Sequence, residues 1–168
     1  MNHSSGLTAK QLEEYLYRSY TRLDGLWFVK TEERCGFDTA LALDADVWRI
    51  LPKIQARLLR EQLGLSADGD GLARALTAKL TIDRYEFALA REDGRLALTL
   101  TRCPWHDLIV KSQRGHLAER IGGVICAIEL PTFAREFGCA AGIPPAGCRL
   151  CADGSPCRFV FSPEVQCA

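Results

Sequence analysis

The sequence lacks an excess of charge of either sign, because its 21 basic and 21 acidic residues cancel. Proteins that bind nucleic acids or anionic membrane surfaces through electrostatic attraction carry a basic excess. We therefore expect neither nucleic acid nor membrane as a main partner. The neutral balance permits a homodimer but does not specify one.

Long hydrophobic runs are also missing. No window approaches the roughly 20 apolar residues that a membrane-spanning helix needs. The first twenty residues, MNHSSGLTAKQLEEYLYRSY, contain no basic segment followed by an apolar one, so they do not resemble a secretory leader. We expect a cytoplasmic protein, in a compartment where cellular reductants keep thiols reduced.

Cysteine, in contrast, is abundant, with eight residues in a chain of 168. A chain of this length can bury a full hydrophobic core and does not need disulfides to fold. In a reducing compartment, so many cysteines indicate metal binding or catalysis more than a disulfide framework. The alternative is that they are small buried apolar residues.

The first part of the chain is predicted to be helical. Thr8 is a plausible N-cap for a first helix, which we expect to break near Asp24-Gly25. Apolar residues recur at helical spacing over residues 38–64, where Gly64 provides a stop, and a shorter helix follows from Leu72. We therefore predict a helical N-terminal region over residues 1–70.

The pattern changes to alternation after this region. RYEFALARE and RLALTLTR flank Asp93-Gly94, which is a strong signal for a two-residue β-hairpin. A helical segment follows from about Trp105 to Gly138, and CRLCA and CRFVFS predict a second hairpin across DGSP. Helices over antiparallel hairpins give an α+β fold, with a metal-binding domain over residues 71–168.

Three cysteines surround the last predicted turn. Cys148, Cys151 and Cys157 have the spacing C-x2-C-x5-C, so their thiolates could converge on one ion. A tetrahedral zinc ion or a 4Fe-4S cluster needs a fourth ligand. Cys126, on the preceding helix, is the best candidate, and Cys103 is the next. The predicted cofactor is therefore either zinc or a 4Fe-4S cluster.

Three other residues are candidates for catalysis. Cys103 and His106 are three residues apart at the start of a predicted helix, so both could face one point, either as metal ligands or as a thiol and a base. His106 could instead only cap the helix and hydrogen-bond locally, or line a ligand pocket. Glu129 follows Cys126 by three residues and is either a ligand or general base of an open site or a surface carboxylate.

The segment from about residue 103 to 161, with CAIELPTFAREFG followed by CRLCADGSPCRFVF, resembles the C-terminal part of the 4-vinyl reductase domain. That α+β module binds small molecules, and its zinc site takes a helical cysteine, an acidic residue and two further cysteines. The resemblance implies metal ligands at Cys126, Cys148, Cys151 and Cys157. Cys148 stands at the place of the acidic ligand, and the final loop is two residues shorter. An all-thiolate set is softer, so a 4Fe-4S cluster remains an alternative to zinc.

The whole chain is also similar to a family of uncharacterised cytosolic proteins from anaerobes, through DGLWF, DADVW, the CP at Cys103 and the later cysteines. These groups are related to L-2-amino-thiazoline-4-carboxylic acid hydrolase-like proteins. The shared feature is a closing G-x-x-C-x-F-x-F strand, found here from Gly154 to Phe161. This similarity implies a relationship but does not fix a substrate.

Three functional classes follow from these observations. The first is a cysteine-ligated metal-binding domain, with zinc favoured and a pocket for a small-molecule ligand. The second is a metal-dependent hydrolase that acts on C–N or C–S bonds of a small heterocycle, such as an amino-thiazoline carboxylate, with Cys103, His106 or Glu129 in catalysis. The third is an iron–sulfur protein, redox-active or desulfurising. We favour the first.

Overall fold

The computed structural model describes residues 5–142 and 149–163 of the chain. The chain divides into two compact units between Asp44 and Ala45. No helix in these described ranges is both long and apolar enough to cross a membrane.

The helices of the described residues come mostly before and between the strands. They are α1 (Ala9–Cys35), α2 (Phe37–Trp48), α3 (Leu51–Leu63), α4 (Gly69–Ile82), α5 (Pro104–Lys111), a short 3-10 turn (Gly115–Leu117), α6 (Ala118–Arg135) and α7 (Arg149–Ala152). The strands are β1 (Glu86–Glu92), β2 (Arg95–Arg102), β3 (Cys139–Gly142) and β4 (Cys157–Pro163).

The ends of the first helix follow from local chemistry. Thr8 is the N-cap of α1, as predicted, and forms a capping box with Gln11. The Thr8 hydroxyl accepts a hydrogen bond from the backbone N–H of Gln11, and the Gln11 side chain accepts one from the backbone N–H of Thr8. The predicted break at Asp24-Gly25 was wrong, because α1 continues through both residues to Cys35. A single glycine costs a helix only about 1 kcal/mol.

Four strands form one antiparallel sheet in the order β1-β2-β4-β3. The predicted hairpin at Asp93-Gly94 is confirmed, and both turn residues have positive φ, 48° and 75°. These values are those of the turn type that matches the twist of paired strands. β4 lies between β2 and β3, so residues from the C-terminal part of the chain occupy an interior position of the sheet.

The hydrophobic core lies in the unit that begins at Ala45. Alternate residues of β2 and β4 point toward it, so that Leu98 is opposite Phe159 and Leu100 is opposite Cys157. Helix α4 contributes a stripe of fully buried apolar side chains, among them Leu72 and Leu76. Helix α6 contributes apolar residues from its last two turns. The core is therefore a sheet face covered by helices.

The second predicted hairpin differs from the structure. Residues Arg149–Ala152 form one helical turn instead of a strand. An ion pair between Arg149 and Asp153, at 2.9 Å, and a hydrogen bond from the Gly154 N–H to the Arg149 carbonyl oxygen close this turn. Both edges of β4 are already paired, with β2 and β3, so the sheet has no free edge at β4 for another strand.

The predicted α+β class, with N-terminal helices followed by an antiparallel sheet, is confirmed. The domain boundary between residues 70 and 71 stays a prediction. The division at Asp44 describes compactness, and it assigns α3 and α4 to the same unit as the sheet.

We expect Leu98→Ala to destabilise the protein by about 3 kcal/mol, because Leu98 is fully buried at the centre of the sheet and truncation leaves a cavity. Urea unfolding followed by circular dichroism measures the change. Leu58→Ala is the matched control, since Leu58 is 50% exposed on α3 and its truncation removes little burial. Equal losses for the two variants would contradict the described core.

Candidate functional site

A small cavity lies between the sheet and helix α6. Its volume is about 20 Å³, which is room for roughly one water molecule. Its walls come from seven parts of the fold, and most of the lining surface is apolar. The lining residues are Leu80, Tyr85, Leu100, Cys103, Cys126, Glu129, Leu130, Leu150, Cys157 and Phe159.

Three of these residues are cysteines that are far apart in sequence. Cys103 is the N-cap of α5 and joins this helix to the end of β2. Cys126 is on the face of α6 that also carries Leu130, one turn later. Cys157 is the first residue of β4, on the core-facing side of the sheet and only 1% exposed. The fold therefore gathers three thiols around one cavity.

The predicted metal ligands are only partly brought together in the described residues. Cys126 and Cys157 line the cavity. Cys151 lies on α7 and packs against the hydrophobic core, but it is not a lining residue. Cys148 lies outside the described residues.

Cys157 accepts a hydrogen bond that is typical of sulfur ligands. The backbone N–H of Leu150 donates to the Cys157 Sγ at 3.3 Å. A hydrogen bond to sulfur stabilises its charged form. The short helix α7 thus supports the thiol of the neighbouring strand.

Two of the three predicted catalytic residues lie at the cavity. Cys103 and Glu129 both line it, whereas His106 is on α5 and is not a lining residue. The pairing of Cys103 with His106 stays a prediction. Glu129 is not a surface carboxylate, because only 6% of it is exposed.

A buried cluster of charges adjoins the cavity. The Lys79 ammonium lies 2.8 Å from Glu129 Oε1 and 2.6 Å from Asp83 Oδ2, and its side chain is 3% exposed. We call Lys79, Asp83 and Glu129 the ion cluster. Burial alone would lower the pKa of Lys79, but attraction to the two carboxylates and hydrogen bonds with them raise it above its ordinary value. The lysine is therefore charged in the folded protein.

Tyr85 contributes a phenol to the same cavity. Burial raises the pKa of Tyr85 well above its ordinary value, because the phenolate would lose its hydration. Negative charge, first on Glu129 and then on Cys103, raises this pKa further. Tyr85 is therefore a neutral hydroxyl that can donate a hydrogen bond.

Sequence analysis missed the ion cluster and Tyr85. A signal for two of the residues was present, because Lys79 and Asp83 continue the helical spacing of the buried residues Leu72 and Leu76 on α4. Charged residues in register with an apolar stripe, four residues apart, indicate a buried pair. No local pattern points to Glu129 as the shared partner, since it belongs to α6.

The thiols and the carboxylate at the cavity are groups that bind metal ions, but the structure does not hold them in the positions of a metal site. Within residues 5–142 and 149–163, no three His, Cys, Asp or Glu side chains converge closely enough to hold a metal ion. Thiols and a carboxylate nevertheless share one small cavity, and these are zinc-binding groups. Binding of an ion would therefore require movement of side chains on the cavity wall.

We expect the protein to lose stability as the pH rises above about 10. The ordinary pKa values of Tyr85 and Lys79 are 10.0 and 10.5, and folding raises both. The folded state then holds these protons more tightly than the unfolded state, so stability is full below the ordinary values and falls as the pH approaches the raised ones.

Urea unfolding at a series of alkaline pH values, with wild type compared with Tyr85→Phe, measures this effect. The variant should lose less stability over the same range. Tyr15→Phe is the control, because Tyr15 is 62% exposed. An identical slope in wild type and Tyr85→Phe would show that the Tyr85 phenol is not a source of the alkaline effect.

Comparison of the chain with known proteins identifies a family to which it belongs. No curated protein and no solved structure is significantly similar to the chain. The model of a family of unknown function, DUF6125, matches residues 9–137. The match includes Cys103, Cys126 and Glu129 and ends before Cys151 and Cys157. Since it covers more than half of the chain, the protein belongs to the DUF6125 family.

Proposed function

We propose that this protein binds one metal ion, zinc in preference to iron, at the thiol-lined cavity, with ligands drawn from Cys126, Cys148, Cys151 and Cys157. The observation that carries the proposal is that Cys126 of α6 and Cys157 of β4 line the same cavity. The hydrogen bond from the Leu150 N–H to Cys157 supports a thiolate there.

The size of the cavity favours a single ion. Its volume of about 20 Å³ corresponds to roughly one water molecule. A 4Fe-4S cluster contains eight atoms and would need a larger space, although it is also held by cysteine thiolates. Zinc at a Zn–S distance of about 2.3 Å needs less rearrangement of the walls.

The other parts of the functional prediction are proposals of the same kind. A cytoplasmic location is consistent with thiols that must stay reduced to bind metal. A small-molecule ligand of the 4-vinyl reductase type would need a pocket of about 300 Å³ or more, so this cavity would have to enlarge to accept it. A homodimer and the absence of nucleic-acid partners remain expectations from the charge balance.

A metal-dependent hydrolase is the second candidate. It is favoured by one observation, namely that Cys103 and Glu129 line the cavity together with Cys126 and Cys157. If only three protein groups bind the ion, the fourth position can hold a water whose pKa is lowered to about 7. In such an enzyme Glu129 would be the general base that accepts a proton from that water.

The first test is elemental analysis of protein purified without oxygen and without chelator, beside a visible spectrum. We expect a colourless protein with about one zinc per chain, and strong loss of zinc in Cys126→Ser and in Cys157→Ser. Cys35→Ser is the control, because Cys35 is exposed at the end of α1 and should not affect zinc content. Circular dichroism establishes that each variant is folded.

The alternatives give different results in the same preparation. A brown protein with iron and acid-labile sulfide would identify a cluster instead of zinc. Cys103→Ser that keeps zinc but loses hydrolysis of an amino-thiazoline carboxylate would favour the enzyme. If neither zinc nor iron is present, and added zinc does not bind, the proposed function is wrong.

A further inference from the structure

Helix α1 exposes most of its large apolar side chains instead of burying them. Of its 27 residues, all of which the structure describes, only Thr21 is buried. A helix of a folded protein is normally stabilised by packing of its apolar face against other parts of the fold. The large apolar residues of α1 that are 42–68% exposed form what we call the α1 stripe: Leu12, Tyr15, Leu16, Leu23, Leu26 and Trp27. The α1 stripe therefore indicates a surface that a partner covers.

The α1 stripe is one continuous face and not a set of scattered residues. Successive residues of a helix are about 100° apart around its axis, which places all members of the stripe within an arc of about 120°. Thr21, the buried residue, lies on the opposite side of the helix. Leu12 and Trp27, the two ends of the stripe, are about 22 Å apart along the axis. Single exposed apolar residues are ordinary on a protein surface, but a contiguous patch of this length marks an interaction site.

The area of the α1 stripe is that of a protein interface. From their exposed fractions, its side chains present on the order of 600 Å² of mostly apolar surface. A stable interface of standard size buries about 800 Å² on each partner, and a little more than half of this area is apolar. Two copies of the stripe can therefore supply the apolar part of such an interface.

We propose that the α1 stripe is the interface of a homodimer, in which α1 packs in antiparallel direction against α1 of a second copy of this chain. The balanced charge of the chain permits such a dimer, and the α1 stripe is the surface that forms it. The proposal does not depend on the proposed metal site, because α1 carries none of the residues assigned to that site.

The α1 stripe is self-complementary when one of two helices is reversed. Its ends are Leu12 and Trp27, and the midpoint between them is next to Ser19, which is exposed on the same face and small enough for the helices to approach closely. Leu16 and Leu23 are equally distant from this midpoint. Reversal therefore places Leu12 opposite Trp27 of the second copy, and Leu16 opposite Leu23. Each contact occurs twice, as two-fold symmetry requires.

Charges next to the α1 stripe favour the antiparallel direction. Lys30 lies three residues beyond Trp27, on the same side of the helix. A parallel pair would place the two Lys30 ammonium groups side by side, whereas an antiparallel pair places them at opposite ends, where the helix macrodipoles also compensate each other. Within each chain Lys30 is paired with Glu33, at 2.7 Å. Arg18 is likewise paired with Glu14, so these basic groups do not leave the stripe with uncompensated charge.

Sedimentation equilibrium of the full-length protein, in reducing buffer and across the micromolar range, tests the proposal. We expect wild type to have twice the 18.6 kDa mass of one chain. Leu16→Glu should weaken dimerisation at least about 100-fold, because a carboxylate would be buried without a partner. Leu58→Glu is the matched control, since Leu58 is also half-exposed but belongs to α3, and this variant should dimerise as wild type does.

A mixture of two variants tests the antiparallel direction. Leu23→Lys alone should weaken dimerisation as Leu16→Glu does. In an antiparallel pair of Leu16→Glu with Leu23→Lys, the introduced carboxylate faces the introduced ammonium, and the two unchanged leucines face each other. The equimolar mixture should therefore dimerise at least about tenfold more tightly than either variant alone. Circular dichroism shows whether each variant is folded, and Leu12→Glu with Trp27→Lys is the equivalent pair if one of them is not.

Any of three results would overturn the proposal. The first is a wild type that has the mass of one chain at every concentration. The second is a Leu16→Glu dimer as tight as that of wild type, which would place the interface on another surface. The third is a mixture that dimerises no more tightly than its components, which would exclude the antiparallel pairing.

Discussion

One buried ammonium joins the two helices on which the site depends. Lys79 of α4 lies within 2.8 Å of a carboxylate oxygen of Glu129 on α6 and within 2.6 Å of one on Asp83. Removing one partner of such a buried pair typically costs about 3–5 kcal/mol, because the remaining charge is left without compensation. The arrangement is therefore costly to disturb, and it fixes where α6 presents Cys126 and Glu129 to the cavity.

The cavity brings together groups that the chain keeps far apart. Cys103 is the N-cap of α5, Cys126 belongs to α6 and Cys157 begins the last strand. The presence of three thiols, a carboxylate and a phenol at one point of an otherwise apolar wall is what makes this point a functional candidate.

Features determined by neighbouring residues were predictable from the sequence. The capping box at Thr8 and the turn at Asp93-Gly94 depend on a few adjacent residues, and both have the expected form. The strand predicted before Asp153 was wrong. It would have had to pair with β4, but β2 and β3 already occupy both edges of β4. Alternation within five residues carries no information about which strands compete for the same edge.

The candidate site was predictable in composition but not in arrangement. Cys103, Cys126, Glu129 and Cys157 were selected by residue type and spacing, and the fold places all four at one cavity. Spacing could not show that His106 would be absent from the cavity wall, because the position of α5 depends on tertiary packing. Nor could it reveal the role of Lys79, whose two partners are in different parts of the fold.

The burial of Lys79 has a consequence for chemical labelling of the protein. Only 3% of its side chain is exposed, whereas 64% of the Lys30 side chain is accessible. Amine-reactive reagents, like the enzymes that acetylate lysine, need an accessible and uncharged amine, and Lys79 is neither accessible nor uncharged in the folded structure. Modification of Lys79 would therefore report local opening of the structure around the ion cluster, next to the cavity.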